Sequence, residues 1–224
     1  MRILRSFIAA AAVALAAACS SAAAGDASST ADGSVQRLTQ LAGAGMDMDY
    51  TALTSPDDAV SRADLVVKGT LVKVTDGIRF SSADPEVTKR AIGSYATFVI
   101  AVEEVLDGDT TMVTGGRVYV SMSTSSKATP QELDALNPQA KVVAVLEDIT
   151  AWRPNGRTTV VRPAAIPVEA RLYAAYNDGL WLQGAGDSQM YAISAEHSEL
   201  APAWGGPRTV DQLRTTIHQA AGAN

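Results

Sequence analysis

The one cysteine of this 224-residue chain is Cys19, and its solitude constrains everything that follows it. A single thiol closes no internal disulfide, so a folded part must stand on its hydrophobic core even in an oxidising compartment. It also excludes a thiolate-rich zinc site. Hydrophobic residues are 47% of the chain, which is enough for a core, although part of that share sits in an alanine-rich N-terminus.

That N-terminus carries Arg2 and Arg5, then an apolar run from Phe7 to Ala18, then Cys19. A charged start, a short apolar stretch and small residues before a cleavage point read as a signal peptide over residues 1–18. The run falls short of the roughly 20 residues a bilayer-spanning helix needs. The segment Leu15-Ala16-Ala17-Ala18-Cys19 resembles the lipobox of bacterial lipoproteins. That family usually places Leu three residues before the Cys. Here Ala16 holds that position and Leu15 stands one further out. The resemblance implies a diacylglycerol on Cys19 and a protein lipid-anchored to the cell membrane on its extracytoplasmic face. The alternative is an ordinary signal peptide with Cys19 as a free thiol.

Behind Cys19 the chain is small and polar through Ser34, with no periodic apolar face and an rms span of about 20 Å over that segment, and residues 19–50 read as a flexible tether. Val35–Leu41 could start a short helix that Gly43-Ala44-Gly45 stops, and its role is open at this point. The net charge is -6, and removal of residues 1–18 takes away two arginines and no acid. Such a surface repels phosphate backbones and anionic headgroups, which argues against nucleic acid and leaves the lipid to hold the protein.

Residues 51–224 read as a single β-rich globular domain. Ser55-Pro56-Asp57-Asp58 is a helix start, with a capping Ser, Pro at the first helical position and acids in the first turn. Leu65–Thr75 reads as a strand in which Leu65 and Val67 share one parity and Val72 and Val74 the other, a mismatch that a bulge at Gly69 would reconcile. Asp76-Gly77 matches a two-residue hairpin turn leading into Ile78-Arg79-Phe80. Further strands are expected at Tyr95–Leu106, at Arg117–Ser123 and at the apolar run Lys141–Glu147. In Arg117–Ser123, Val118, Val120 and Met122 alternate with Tyr119, Ser121 and Ser123. A short helix opens at Thr129-Pro130, a late hairpin turns about Gly184–Asp187, and the capping box at Thr209–Gln212 opens a C-terminal helix.

The order strand, strand, strand, short helix, strand, strand is that of an OB-like Greek-key barrel, with the helix between the third and fourth strands. The fold class expected is therefore mainly β (β-rich α+β), with short helices and a C-terminal helix. Asp64-Leu65-Val66-Val67-Lys68-Gly69-Thr70 and Val102-Glu103-Glu104-Val105-Leu106-Asp107-Gly108 also resemble netrin-type modules, across residues 64–147. Those modules normally hold disulfides that this chain cannot make, and their inhibitory members use a free N-terminal Cys close to the barrel. The resemblance implies the barrel and not the inhibition.

No catalytic constellation emerges. Gly186-Asp187-Ser188 has the look of a nucleophile turn, but its base would have to be His197 or His218, and Gln189-Met190 stand where an elbow needs glycine. Glu196, His197 and Glu199 lack the further imidazole or thiolate that a zinc site needs. Glu103, Glu104, Asp107 and Asp109 surround a turn without the glycine and terminal glutamate of an EF-hand. Neither a metal nor a cofactor is expected.

The aromatics of the second half, Trp152, Trp181, Trp204, Tyr173, Tyr176 and Tyr191, can stack sugars or anchor a partner. Trp152, Arg153, Trp181 and Tyr191 are the candidate ligand rim, in and around a loop from Trp152 to Pro167. The leading expectation is a non-enzymatic binding or interaction module facing an envelope protein or glycan. The competing readings are a cell-envelope hydrolase using carboxylates such as Glu103 or Asp187, and a structural surface protein without a small ligand.

Overall fold

The computed structural model describes residues 33–46, 49–82, 94–136, 139–152 and 158–223. Residues 1–18, Cys19 and the first part of the expected tether lie outside the described residues. Among the described residues, no helix is long and apolar enough to cross a membrane.

Among the described residues eight strands form: β1 (Leu65–Asp76), β2 (Arg79–Ser82), β3 (Ser94–Gly108), β4 (Arg117–Thr124), β5 (Lys141–Asp148), β6 (Thr158–Val161), β7 (Leu172–Gln183) and β8 (Tyr191–Ala192). The main sheet runs β4-β3-β1-β5-β7-β8, and an additional β4–β7 pairing closes its first five strands into a barrel. β1 lies antiparallel to β3 and β5, β7 antiparallel to β5, and β4 parallel to β7. With the short helix α3 (Pro130–Ala135) between the third and fourth barrel strands, this is the expected OB-like Greek-key closure.

The parity reversal expected at Gly69 falls at Val72 instead. The β1–β3 register does shift between Lys68 and Gly69, but the extra residue is Glu103 on β3 and β1 keeps its inward set of Leu65, Val67 and Leu71. A Cβ on the glycine would stand 2.1 Å from the Ala101 carbonyl oxygen. Of the two other shifts, between Val66 and Val67 and between Leu71 and Lys73, the latter changes the inward set. Leu71 and Val74 join Leu65 and Val67 in the barrel core, while Val72 packs outside. The hairpin expected at Asp76-Gly77 does not form. Gly77 instead continues alongside β3, its N–H donating to the Tyr95 carbonyl at 3.1 Å, and β2 pairs with β6 far along the chain. A local turn signal is here outweighed by tertiary pairing.

Three apolar layers result. Inside the barrel lie Val67, Phe98, Ile100, Val120, Val142 and Leu180, among others. One end is capped by α3 through Leu133 and by α1 (Ser34–Gly43), whose Val35, Leu38 and Ala42 are fully buried in the same core. Packed structure is thus present upstream of residue 51, and residues 34–43 of the expected tether form a core-building helix. Its spacing of Val35, Leu38 and Ala42 gives the one-sided apolar stripe that such a plug requires.

A second layer covers the outer face of β1, β5 and β7. There α2 (Pro56–Arg62) and α4 (Val210–Ala221) pack with Trp181, Met190 and Trp204 against Val66, Val143 and Val145. Both helices start as expected: Ser55 Oγ accepts from Asp58 N–H at 3.0 Å, and Thr209 and Gln212 complete a capping box. The third layer lies on the opposite outer face and builds the candidate site.

Candidate functional site

Barrels of this type bind ligands on an outer face flanked by the loops that follow the first and fourth barrel strands. In this chain those two connections carry β2 and β6, which pair antiparallel from Arg79↔Val161 to Ser82↔Thr158 and form a flap. Beneath it Ile78, Val99, Tyr119, Ile166, Ala170 and Leu172 make a small core of their own. Arg162 fastens the loop behind the flap, its Nη1 donating to the carbonyls of Pro167 at 2.6 Å and Ala170 at 2.7 Å. Arg162, in the described part of the expected rim loop, is therefore a staple that holds residues 162–170.

The covering is incomplete at one place. The parallel ladder between β4 and β7 runs only from Tyr119↔Leu172 to Ser121↔Ala174. Past it the strands part, and a cleft of ≈ 310 Å³ opens between them and the flap. Its aromatic wall is Phe80, Tyr95 and Trp152, with Phe80 edge-on to Tyr95 at 5.4 Å and to Trp152 at 5.7 Å between centroids. Ile78, Met122 and Ile149 add apolar surface. T-shaped packing of this kind holds rings rigidly without a sandwich, so the wall is preformed.

Two polar features mark the cleft. Ser121 is 7% exposed and its Oγ has no hydrogen-bond partner. A buried hydroxyl left unpaired costs free energy, and a ligand that supplied the missing bond would recover it. The other is Glu147, which is exposed at the end of β5, lines the cleft and has no ion pair among the described residues. No lysine or arginine among the described residues lines the cleft. The neighbouring Asp148 is committed elsewhere. Burial works against its charge, but hydrogen bonds from Thr150 and Arg171 outweigh that and hold its carboxyl below the usual range.

A larger, open groove of ≈ 960 Å³ lies between α1 and the segment 189–199. Its histidine and one of its glutamates are engaged. His197 Nε2 lies 2.8 Å from the Met190 carbonyl and its ring packs on Trp181 at 5.0 Å. Glu199 accepts from the Glu196 N–H at 2.7 Å. The smaller cleft is the better candidate, because among the described residues it has a buried lining hydroxyl without a hydrogen-bond partner and the groove has no such buried group.

The four-residue rim expected from the sequence does not assemble. Trp152, 43% exposed, is at the cleft. Trp181 is buried in the helical layer, its Nε1 donating to the Asp178 carbonyl at 2.7 Å, and it reaches the large groove with the half-buried Tyr191. Arg153 lies outside the described residues. Counting aromatics could not separate them, because the face each takes depends on strand register. Phe80, Tyr95, Ser121 and Glu147 were missed as site residues. The outward parity of Ser121 was legible, but nothing local announces that β2 and β6 meet above it.

The remaining candidates resolve into structural roles. Glu103 accepts from Thr70 Oγ1 at 2.7 Å, and Glu104 takes a bidentate pair of bonds from Arg214. Asp109 caps the turn at Thr111, and Asp187 accepts from the Gly184 N–H at 2.9 Å. No hydrogen bond joins Ser188 to His197 or His218, and no group of three or more His, Cys, Asp or Glu among the described residues could hold a metal ion. A scan against models of known protein families returns no match, and neither does a search of curated proteins. Fold and site together define the class: an OB-like Greek-key barrel with one outer face roofed by its own flap, save for one aromatic cleft among the described residues.

Proposed function

We propose that this chain is a membrane-anchored, extracytoplasmic lipoprotein that acts as a non-enzymatic binding module, with the cleft beneath the flap as its binding site. The observation that carries the reading is the buried, unpaired hydroxyl of Ser121 on the floor of a rigid aromatic cleft. At ≈ 310 Å³ the cleft is at the lower end of the roughly 300–1,000 Å³ usual for small-molecule sites, so it suits a small solute or the tip of a larger envelope component. The lipid on Cys19 supports the same reading from the sequence: its adjoining polar segment separates the domain from the headgroups. The acidic balance of the chain disfavours nucleic acid as the occupant.

Two measurements test it. Metabolic labelling with an alkyne fatty acid should tag the wild type and leave Cys19→Ala unlabelled and released from membranes. Native mass spectrometry of the membrane-extracted protein should find a small molecule that Ser123→Phe, whose ring would fill the cleft, no longer retains. Equal retention by that variant would remove the cleft from consideration.

A further inference from the structure

The charges and surfaces around the cleft restrict its occupant further, if the cleft is the binding site. Phe80, Tyr95 and Trp152 present a rigid aromatic wall, with edge-to-face angles of 74° and 77° that turn neighbouring rings nearly perpendicular. The negative faces of such rings attract a cation placed within about 6 Å of a centroid. Among the described lining residues Glu147 is the one carboxylate, exposed and without an ion pair to a described residue, and none carries a positive charge. Among those residues an anionic ligand would meet Glu147 and the rings with no compensating group. A neutral ligand would leave the carboxylate unused.

We propose that the cleft binds a small organic ammonium ion, its alkylated cationic head against Phe80, Tyr95 and Trp152 beside Glu147 and its hydrogen-bonding end at Ser121. The apolar lining from Ile78, Met122 and Ile149 suits N-alkyl groups better than a bare inorganic cation, which would keep its water. Ser121 Oγ, buried and unpartnered, supplies a donor or an acceptor to a ligand hydroxyl.

The test is a titration of the full chain in detergent micelles, followed by tryptophan fluorescence. Trp152 lines the cleft and Trp181 the larger groove, so a change on binding that is lost in Ser123→Phe, a substitution in the cleft lining, reports the cleft. The probes are choline, tetramethylammonium, phosphocholine, N-acetylglucosamine, and the uncharged isostere of choline in which a tert-butyl group replaces the trimethylammonium. Choline should bind at least about tenfold more tightly than its uncharged isostere. Glu147→Gln, at an exposed position without partners, should remove most of that preference and leave the melting temperature unchanged. Ser121→Ala should weaken choline more than tetramethylammonium, which has no hydroxyl. Phosphocholine separates a free solute from a lipid headgroup, since its phosphate should weaken binding beside Glu147. Phosphocholine binding more tightly than choline would overturn the free-solute assignment. Equal binding of choline and its isostere, or preference for the sugar, would overturn the ammonium assignment and leave the cleft as a binding site. No fluorescence response to any probe, together with unchanged retention in Ser123→Phe, would remove both readings.

Discussion

Asp178 is buried at 2% exposure, with one carboxylate oxygen accepting the Leu53 N–H at 2.8 Å and the other unpaired. Burial pushes its carboxyl above the usual range, only partly offset by the hydrogen bond from Leu53. The linked stability therefore runs opposite to that of a salt-bridged acid. It is fully present below the ordinary carboxylate range and is lost as pH rises through the raised folded value. Asp178→Asn keeps an acceptor for Leu53 without a charge, so it should match or exceed the wild type near about pH 7 and show a flatter profile from about pH 4 upward. Asp178→Ala leaves the Leu53 N–H unsatisfied and should cost about 1–3 kcal/mol. Urea unfolding at several pH values reads both. A wild-type profile that Asp178→Asn does not flatten would contradict the assignment. In the sequence Asp178 sits in Asn177-Asp178-Gly179, which reads as an exposed turn. Only the bulge in the β5–β7 register between Ala144 and Leu146 takes it inside.

At the scale of elements, α4 is joined to the barrel by charge as well as by Leu213 and Ile217. Asp211 pairs with Lys68 at 3.3 Å and with Lys141 at 2.9 Å, and Arg214 clasps Glu104 on β3. The Arg214 hydrogen bonds hold the Glu104 carboxyl below its usual range, so its contribution is present above the ordinary glutamate range and is lost as pH falls through the lowered value. Glu104→Gln should cost about 1 kcal/mol near neutrality, and the difference from wild type should vanish in acid, as thermal melts against pH would record. β1 depends on geometry rather than charge. Gly69→Ala sets a methyl group against the Ala101 carbonyl, so the bulge must move and about 1–3 kcal/mol of stability should be lost. A melting temperature unchanged by that substitution would mean the register adjusts freely. The caps of α2, α3 and α4 were legible because each is set by residues within a few positions. The place where β1 reverses its parity, at Val72 and not at Gly69, was not, because it answers to β3.

At the scale of the molecule, the barrel is closed at one end by α1, the first helix of the described residues. Leu38 is fully buried in the barrel core, so Leu38→Ala should cost about 2–5 kcal/mol. A chain starting at residue 33 should keep the wild-type unfolding transition, whereas one starting at residue 51 should lose stability sharply. Equal melting of the two, measured by circular dichroism, would show the plug to be dispensable. What the sequence determined by itself is whatever short-range chemistry encodes: strand alternation, helix caps and the order of elements that makes an OB-like closure. Periodicity and capping act over a few residues and survive any change of surroundings. The tertiary structure alone decided that β2 leaves β1 to meet β6, that Trp152 and Trp181 part to opposite faces, and that Ser121 lies unpaired beneath a flap. Those outcomes depend on register between distant strands, where one residue of slip reverses every side chain.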